Sequence, residues 1–392
     1  MSDAVIVAAA RTPIGTARKG TLLDVTTFEL ARYAAGEALK RSGISPGDVD
    51  DMLMGESLQG GGCVARYAAI ELGLTEVPGM AFNRHCASGM GAVQGAAGSI
   101  IAGMDTVVIA GGSESMSTTP QTTKRTPFTD DWGPWMSPSH PEQPDAPAFD
   151  MSITVGLNTA NALGLTRADC DEWAVRSHQR AVQAIDEGRF EDEIVAIEVK
   201  RRDGSTTIFD TDEHPRRDST IEKMSSLKPL HPEIENFPIT AGNASGLNDG
   251  AAAMMIVSSD YAAAHGLTPL AKIVSWASTG TNPRDTGLGP ILSIPKALER
   301  AGMTVGDVNL AEINEAFASV PVAACRKLGL SEDITNVSGS GCSLGHPVAA
   351  TGARMIITTM FELRRRGGGI GLASMCAGGG MGSATVFEVY PG

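Results

Sequence analysis

The feature that most constrains the fold is an internal repeat. Residues 38–50 and 297–309 match at seven of thirteen positions, 259 residues apart. Each copy predicts the end of a helix at Gly43 or Gly302, followed by an apolar strand at 52–54 or 310–313. A strand-like run also precedes each copy, at 5–7 and 272–276. A strand, a helix and a strand repeated twice predict two fused α/β halves with largely buried parallel sheets.

Composition narrows the functional classes. The chain has 392 residues, more than one compact core usually accommodates. Its 42% apolar and 19% charged side chains are typical of a globular protein. A formal net charge of −14 argues against nucleic acid or an anionic membrane as a partner. No apolar run reaches the roughly 18 residues that a membrane helix needs. Six scattered cysteines without a CxxC pair favour reduced thiols, a cytoplasmic location and no metal site.

The middle of the chain differs from its two ends. Residues 116–150 are rich in Pro, Ser, Thr and Trp and predict irregular structure, whereas 166–187 predict a helix capped by Thr166. Residues 200–228 carry seven basic side chains against six acids. This segment is either a site for phosphates or a solvated surface loop, and charge alone favours the loop.

A cysteine and a histidine occupy related places in the repeat. The position 259 residues after Cys86 is Gly345, next to His346. Both side chains precede a predicted helix, and Pro347 suits a first helical turn. If the halves pack about a pseudo-twofold axis, the thiol and the imidazole share a site. The helix N-terminus and the imidazole would then favour the Cys86 thiolate, a nucleophile, although a lone cysteine is more often a small buried apolar residue.

Two further motifs carry polar chemistry. Cys376 ends a predicted strand and is followed by three glycines, whose N–H groups could approach a substrate oxygen. The other interpretation is a simple glycine-rich turn. Asn314 follows the strand of the second repeat, where its amide could position a water molecule.

Together these motifs resemble the thiolase family over the whole chain. The resemblance is carried, in order, by residues 11–15 (RTPIG), 83–89 (NRHCASG), 111–116 (GGSESM), 240–252 (TAGNASGLNDGAA), 314–318 (NEAFA), 345–347 (GHP) and 376–382 (CAGGGMG). The family implies duplicated βαβαβαββ halves in α-β-α-β-α layers with an inserted loop domain. The implied domains are 1–116 with 247–269, a loop domain at 117–246, and 270–392.

The resemblance also implies a mechanism. Reversible thiolysis of 3-ketoacyl-CoA, or the reverse condensation, would use Cys86 as the acylated nucleophile and His346 as its base. Cys376 would move the proton on the α-carbon of acetyl-CoA. One oxyanion hole would use His346 and a water molecule held by Asn314, and the other the N–H groups of Cys86 and Gly378. Each such donor is typically worth about 3 kcal/mol of barrier.

Coenzyme A would be a substrate, and no cofactor is implied. The residues expected to bind it are Arg216, Ala241, Ser245, Ala316 and Phe317. The family further suggests a homodimer or homotetramer and a role in fatty acid β-oxidation. Residues 339–351 and 132–151 depart from the common family pattern, which leaves acetoacetyl specificity and a loop-mediated tetramer open.

Three other functions match parts of the sequence. Residues 341–345 match the G-x-S-x-G motif of serine hydrolases, but the only histidine after Ser343 is three residues on, so a triad in that order cannot form. A ketoacyl synthase would need a second histidine where Asn314 stands. A catalytically silent homologue that binds acyl-CoA is the non-enzyme alternative. Chain length, branching and the direction of the reaction are not determined by the sequence.

Overall fold

A computed structural model describes residues 2–392. The first half contains β1 (Ala4–Arg11), β2 (Gly15–Thr16), α1 (Thr27–Ser42), β3 (Asp51–Gly55), α2 (Val64–Glu71), β4 (Met80–Phe82), α3 (Ser88–Ile101) and β5 (Val107–Ser115). A long segment follows with β6 (Thr122–Arg125), β7 (Trp132–Trp135), α4 (Asn158–Leu163), α5 (Arg167–Asp186), β8 (Ile197–Lys200), β9 (Thr206–Phe209) and α6 (Ile221–Ser225). The chain then returns through β10 (Asn248–Ser258) and α7 (Ser259–Ala264).

The second half repeats this order with fewer strands. It contains β11 (Ala271–Gly280), α8 (Gly289–Ala301), β12 (Leu310–Ile313), α9 (Ser319–Leu328), α10 (Thr351–Arg365), β13 (Gly369–Ala377) and β14 (Met381–Val389). The counterpart of β4 is reduced to a single parallel bridge between Thr335 and Ala311.

Ten of the strands form two sheets joined at one point, and β6–β7 and β8–β9 form separate hairpins. The hydrogen-bonded order is β12-β13-β14-β11-β1-β10-β5-β3-β4, and β1 meets β11 only at Val5–Lys272 and Ile6–Ala271. The predicted parallel sheets are only partly correct: β3, β4 and β5 are parallel, as are β12 and β13, whereas the other neighbours are antiparallel. The reason is that β10 and β14 return beside strands of their own half, and β14 does so through a tight turn.

Buried side chains separate the molecule into five layers. Helices α3 and α10 pack between the inner faces of the two sheets. Helices α1 and α2 cover the outer face of the first sheet, and α8 and α9 cover that of the second. The expected α-β-α-β-α arrangement of duplicated halves is therefore confirmed.

The repeat appears as two matching helix ends. Gly43 and Gly302 close α1 and α8 in the left-handed conformation, with φ of 66° and 68°, as the sequence predicted. Further on, the spacing changes, because α3 and α10 begin at Ser88 and Thr351, 263 residues apart. The counterpart of Cys86 is thus Ala349. The prediction that paired Cys86 with Gly345 assumed a fixed spacing and is wrong by four residues.

The segment between β5 and β10 is more ordered than predicted. Residues 116–150 are not wholly irregular, because β6 and β7 form an antiparallel hairpin. Helix α5 begins after Thr166, whose side chain and that of Asp169 cap each other's backbone N–H groups, as predicted. The domain boundaries proposed from the sequence stay a prediction. Among residues 2–392, no helix combines the length and apolarity needed to cross a membrane.

A buried cation fastens this segment to the first sheet. Arg11 is fully buried at the end of β1, donates to Glu193 at 2.7 Å and forms a two-pronged pair with Asp212 at 2.8 Å. Removing one partner of a buried ion pair leaves uncompensated charge.

We therefore expect Arg11→Ala to lower the free energy of unfolding by about 3–5 kcal/mol, measured by urea denaturation. Arg202→Ala, which breaks an exposed pair with Asp24, is the control and should change stability little. Equal effects of the two substitutions would contradict the assigned role of Arg11.

Candidate active site

Cys86 lies in a tight turn before α3. The turn is held by the Ser88 side chain, which accepts from the Arg84 N–H at 2.9 Å and donates to the His85 carbonyl at 2.6 Å. His85 has a φ of 48°, a left-handed conformation that few residues with side chains adopt. The geometry fixes the Cys86 thiol beside the start of the helix, at the interface of the two halves.

The turn between β13 and β14 meets Cys86 directly. The N–H groups of Gly378 and of Cys86 itself lie close enough to the Cys86 sulfur to lower the pKa of its thiol. The Cys376 thiol is close enough to Cys86 that a charge on one affects the other. Cys86, Cys376 and Gly378 are thus brought together from the two halves.

His346 is fixed through its backbone. Its N–H donates to Asn248 Oδ1 at 3.0 Å, and the Asn248 amide in turn donates to the Gly15 carbonyl. Gly345 has a φ of 104°, and a Cβ there would lie 2.5 Å from the Asn248 side chain, so only glycine fits before His346. The helix begins later than predicted, at Thr351, because residues 347–350 form a turn and Pro347 stands outside the first helical position.

The hydrogen bonds of His346 determine which ring nitrogen is basic. The Thr351 hydroxyl donates to the Pro347 carbonyl at 2.8 Å, so its oxygen accepts from His346 Nδ1 at 2.7 Å. Nε2 therefore carries the lone pair, and it lies 3.4 Å from Asn314 Nδ2. The buried Asn314 Oδ1 makes no hydrogen bond with the residues that the structure describes. This pair can accept a proton at Nε2 and hold a polar molecule at Oδ1.

The turn that follows His346 is in close backbone contact with the start of α3. The carbonyl oxygen of Ala349 packs so tightly that a Cβ would lie 2.5 Å from it at Gly89 and 2.0 Å from it at Gly112. On the other side, the Asn314 N–H donates to the carbonyl of Ser374, two residues before Cys376. The structure therefore brings all four predicted catalytic residues and Gly378 to one region.

The expected Cys86 thiolate is not supported. Burial raises the pKa of Cys86 to about 11, because desolvation and the charge of Glu114 outweigh the two N–H groups that lower it. Burial also lowers the pKa of His346 to about 3, and the charge of Arg354 adds to this effect. At neutral pH the site holds a neutral thiol and a neutral imidazole, so Cys86 needs a base to react.

Burial likewise raises the pKa of Cys376, and a charge on Cys86 raises it further. Cys376 therefore rests as a thiol, a form that can donate a proton.

Sequence reasoning missed a buried carboxylate beneath the site. Glu315 accepts from the Trp173 indole at 2.8 Å, the Ser177 hydroxyl at 2.6 Å, the Asn336 amide at 2.8 Å and the Cys342 N–H at 3.0 Å. Glu315 directly follows Asn314. Through these contacts it holds the loop before His346 against α5. Its place after Asn314 in a polar run at a strand end was the available signal.

The middle segment covers the glycine turn. Cβ atoms built at Gly378 and Gly379 would lie 3.2 Å from Ser139 Cβ and 2.6 Å from the Ser139 carbonyl oxygen. The His85 ring packs on the same side, 3.6 Å from the position of a Gly378 Cβ. No sequence signal linked residue 139, in a loop, to this turn.

The residues predicted to bind coenzyme A form one neighbourhood. The Ser245 N–H donates to the Ala316 carbonyl at 3.0 Å, Ala244 pairs with Phe317, and Ala241 is exposed in the same loop. His214 touches Gly246, next to Ser245.

Arg216 follows His214 closely, and its N–H donates to His178 Nδ1 at 3.1 Å. Arg216 is exposed and makes no ion pair within residues 2–392, unlike Arg217 with Asp186 and Lys223 with Asp218. A cation is thus available near the loop that holds Ser245.

The serine-hydrolase motif has no catalytic setting. Ser343 is fully buried and hydrogen-bonded to Ser177 at 2.7 Å, in the network of Glu315. In the part of the chain described, residues 2–392, no group of three or more His, Cys, Asp or Glu side chains could hold a metal ion.

Comparisons with known proteins agree along the full chain. The family model described as "Thiolase, N-terminal domain" matches residues 4–260, and "Thiolase, C-terminal domain" matches 267–389. An acetyl-CoA acetyltransferase of Syntrophomonas wolfei is 41% identical, over 98% of this chain and 99% of that protein.

Solved structures show the same likeness. A crystal structure of the Bacillus anthracis acetyl-CoA acetyltransferase superimposes with a TM-score of 0.91 at 40% identity, covering 99% of both chains. That of human mitochondrial 3-ketoacyl-CoA thiolase gives 0.90 at 35% identity, again over 99% of both chains. With two matching family models, close relatives and a shared fold, the chain belongs to the thiolase family.

Proposed function

We propose that this acyltransferase cleaves 3-ketoacyl-CoA with coenzyme A, giving acetyl-CoA and a shortened acyl-CoA, and catalyses the reverse condensation. The observation that carries the proposal is the meeting of Cys86, Cys376 and Gly378 at one turn, together with the packing of the Ala349 carbonyl on Gly89, which brings the turn of His346 against the start of α3. Relatives named acetyl-CoA acetyltransferase, β-ketothiolase and 3-ketoacyl-CoA thiolase support it. No observation favours a ketoacyl synthase or a silent homologue.

In the first half-reaction, Cys86 attacks the 3-keto carbon while its proton passes to His346 Nε2. The bond between C2 and C3 then breaks, the acyl group stays on the Cys86 sulfur, and the acetyl-CoA enolate takes a proton from Cys376. The neutral resting forms of both thiols and of His346 support this order of proton transfers.

In the second half-reaction, coenzyme A gives its thiol proton to the Cys376 thiolate and attacks the acyl-enzyme. Cys86 leaves as a thiolate and regains its proton from His346 Nε2. Protons and electron pairs balance over the cycle, so coenzyme A is a substrate and no cofactor enters.

Two groups of donors stabilise the oxygen that becomes negative. The N–H groups of Cys86 and Gly378 lie near the Cys86 sulfur, and the oxygen of the acyl group attached there accepts from them. On the other side, the protonated His346 Nε2 and a water molecule bound to Asn314 Oδ1 serve the thioester oxygen of the enolate. The unsatisfied Oδ1 supports the second assignment.

Coenzyme A is proposed to enter past Ser245 and Phe317. The loop of Ala241 and Ser245, with Ala316, contacts the pantetheine, and the unpaired Arg216 meets the phosphate end. This favours the phosphate interpretation of residues 200–228 over a plain surface loop.

A thiolysis assay tests the proposal. Loss of the enolate absorbance of 3-ketoacyl-CoA substrates, varied in chain length, branching and bulk, should follow addition of coenzyme A and yield acetyl-CoA for at least one substrate. A folded protein that forms no acetyl-CoA with any member of the panel would contradict the function.

We further propose a cytoplasmic homodimer or homotetramer that acts in fatty acid β-oxidation. Support for assembly comes from exposed apolar side chains at the edge strand β4 and on the β6–β7 hairpin, including Met80, Trp132 and Trp135. The six free cysteines support a reducing compartment. Light scattering coupled to size-exclusion chromatography would give two or four chains, and a monomer at micromolar concentration would contradict the assembly.

A further inference from the structure

Two polar side chains lie beside the glycine turn and have no part in the mechanism above. A Cβ built at Gly378 would lie 3.2 Å from Ser139 Cβ, 3.6 Å from Ser139 Oγ and 3.6 Å from His85 Cγ. Ser139 and His85 therefore flank the same side of Gly378, although they come from distant segments of the chain. Both residues are partly exposed, so neither is sealed inside the protein.

The loop that carries Ser139 is fixed against the rest of the site. The next residue, His140, is buried, and its Nε2 lies 2.9 Å from the Ala146 carbonyl oxygen. The Ser139 backbone also packs on the glycine turn, because a Cβ at Gly379 would lie 2.6 Å from the Ser139 carbonyl oxygen. The position of the Ser139 hydroxyl is thus set by the protein before any substrate binds.

The hydrogen bonds of His140 decide what the Ser139 hydroxyl offers to a substrate. A carbonyl oxygen only accepts, so Nε2 carries the proton of the neutral His140 ring and Nδ1 is the acceptor. Ser139 Oγ lies 2.8 Å from that Nδ1 and donates its proton to it. The lone pairs of Ser139 Oγ have no donor among residues 2–392. The Ser139 oxygen therefore presents an acceptor to a molecule at the turn.

The His85 ring supplies the complementary group. Its backbone is fixed, because its N–H donates to Asn83 Oδ1 at 3.0 Å and its carbonyl accepts from the Ser88 hydroxyl at 2.6 Å. Neither ring nitrogen of His85 has a hydrogen-bond partner within residues 2–392. Burial lowers the pKa of His85, and the charge of His140 lowers it further. The neutral ring offers one N–H donor and one acceptor nitrogen.

We propose that Ser139 and His85 bind a hydroxyl group on the acyl part of the substrate. A hydroxyl group donates to Ser139 Oγ and accepts from the His85 ring N–H, whereas a carboxylate has no proton for Ser139 and an alkyl chain leaves both groups unpaired. The inference rests on the proposed function, in which the Gly378 N–H holds the carbonyl oxygen of the acyl group on Cys86. The preferred substrates are then 3-ketoacyl-CoA esters whose released acyl group is hydroxylated at its second or third carbon.

Acyl transfer to Cys86 tests the site with compounds that share one carbon skeleton. The protein is mixed with 2-hydroxybutyryl-, 3-hydroxybutyryl- or butyryl-CoA, and the acyl group gained by Cys86 is followed in time by peptide mass spectrometry. In this step the Cys86 sulfur replaces the coenzyme A sulfur on the carbonyl carbon, and coenzyme A leaves with the Cys86 proton. At least one hydroxy compound should react about tenfold faster than butyryl-CoA, the effect of one or two added hydrogen bonds.

Two variants locate the preference. Ser139→Ala removes the acceptor and His85→Leu removes the donor, and each should bring the ratio of hydroxy to plain rates to within about twofold of unity. Ser137→Ala, at an exposed position of the same loop, is the matched control and should keep the ratio of the parent. Because both rates come from one preparation, a purely structural effect lowers them together and leaves the ratio unchanged.

The failures of this inference and of the proposed function are distinguishable. Equal rates for hydroxy and plain compounds in the parent, or an unchanged ratio in either variant, would overturn the hydroxyl site. Faster transfer from succinyl-CoA than from both hydroxy compounds would also overturn it, because the site would then prefer a carboxylate. Transfer to Cys86 from none of these compounds, nor from acetyl-CoA, would overturn the proposed function and the hydroxyl site with it.

Discussion

Replacing Cys86 with alanine is expected to lower kcat/KM for thiolysis by about four to six orders of magnitude, because the nucleophile that carries the acyl group is removed. No other thiol at the site can replace Cys86 as the nucleophile. Cys376 serves the proton on the α-carbon, and burial raises the pKa of the Cys376 thiol further. The assay is loss of 3-ketoacyl-CoA enolate absorbance in the presence of coenzyme A.

The matched control is Cys63→Ala. Cys63 precedes α2, is partly exposed and makes no capping hydrogen bond, so activity should stay within about twofold of the parent. Full activity in Cys86→Ala would refute the covalent step. A large loss in Cys63→Ala would show that cysteine substitutions damage this fold in general.

Replacing Cys376 with alanine should separate the two kinds of chemistry. Transfer of an acetyl group from acetyl-CoA to Cys86 needs no proton movement at the α-carbon. The coenzyme A thiolate is a good leaving group that can depart without the proton from Cys376, so acyl-enzyme formation should remain within about tenfold. Thiolysis of 3-ketoacyl-CoA should fall by about 10³, the range expected when a general acid is lost. Both rates are measured on one preparation, with labelled acetyl-CoA and with the enolate assay.

Cys325→Ala is the control for burial, because this thiol is also buried but lies on α9 beside Thr335. Any loss of folded protein in this variant should lower the rates of acyl transfer and thiolysis by the same factor. If Cys376→Ala lost acyl transfer and thiolysis to the same extent, Cys376 would not be the residue that serves the α-carbon.

The fold was predictable where local rules and the repeat agree. Gly43 and Gly302 end their helices because a left-handed residue is needed there, and the strands that follow are apolar runs of the expected length. The fixed spacing failed at Cys86, because the chain between the second strand and the inner helix is four residues longer in the second half. Sequence similarity near one point of a repeat does not fix the register at another.

The site was predictable as a set of residues but not as an electrostatic arrangement. The sequence predicts a thiolate at Cys86 because it indicates a helix N-terminus and an imidazole beside the thiol. Desolvation decides the outcome instead, with a smaller addition from the charge of Glu114, and both depend on packing between distant segments. The same holds for Glu315 and Thr351, whose roles come from partners brought together by the fold.

Covalent catalysis by Cys86 is tested most directly by identifying the residue that becomes acylated. The protein is incubated with labelled acetyl-CoA, stopped in acid and digested, and the label is located by peptide mass spectrometry. We expect one acetyl group per chain, attached to the Cys86 sulfur and removed by added coenzyme A. An acetyl group on Cys376 or any other residue, with Cys86 unmodified, would contradict it.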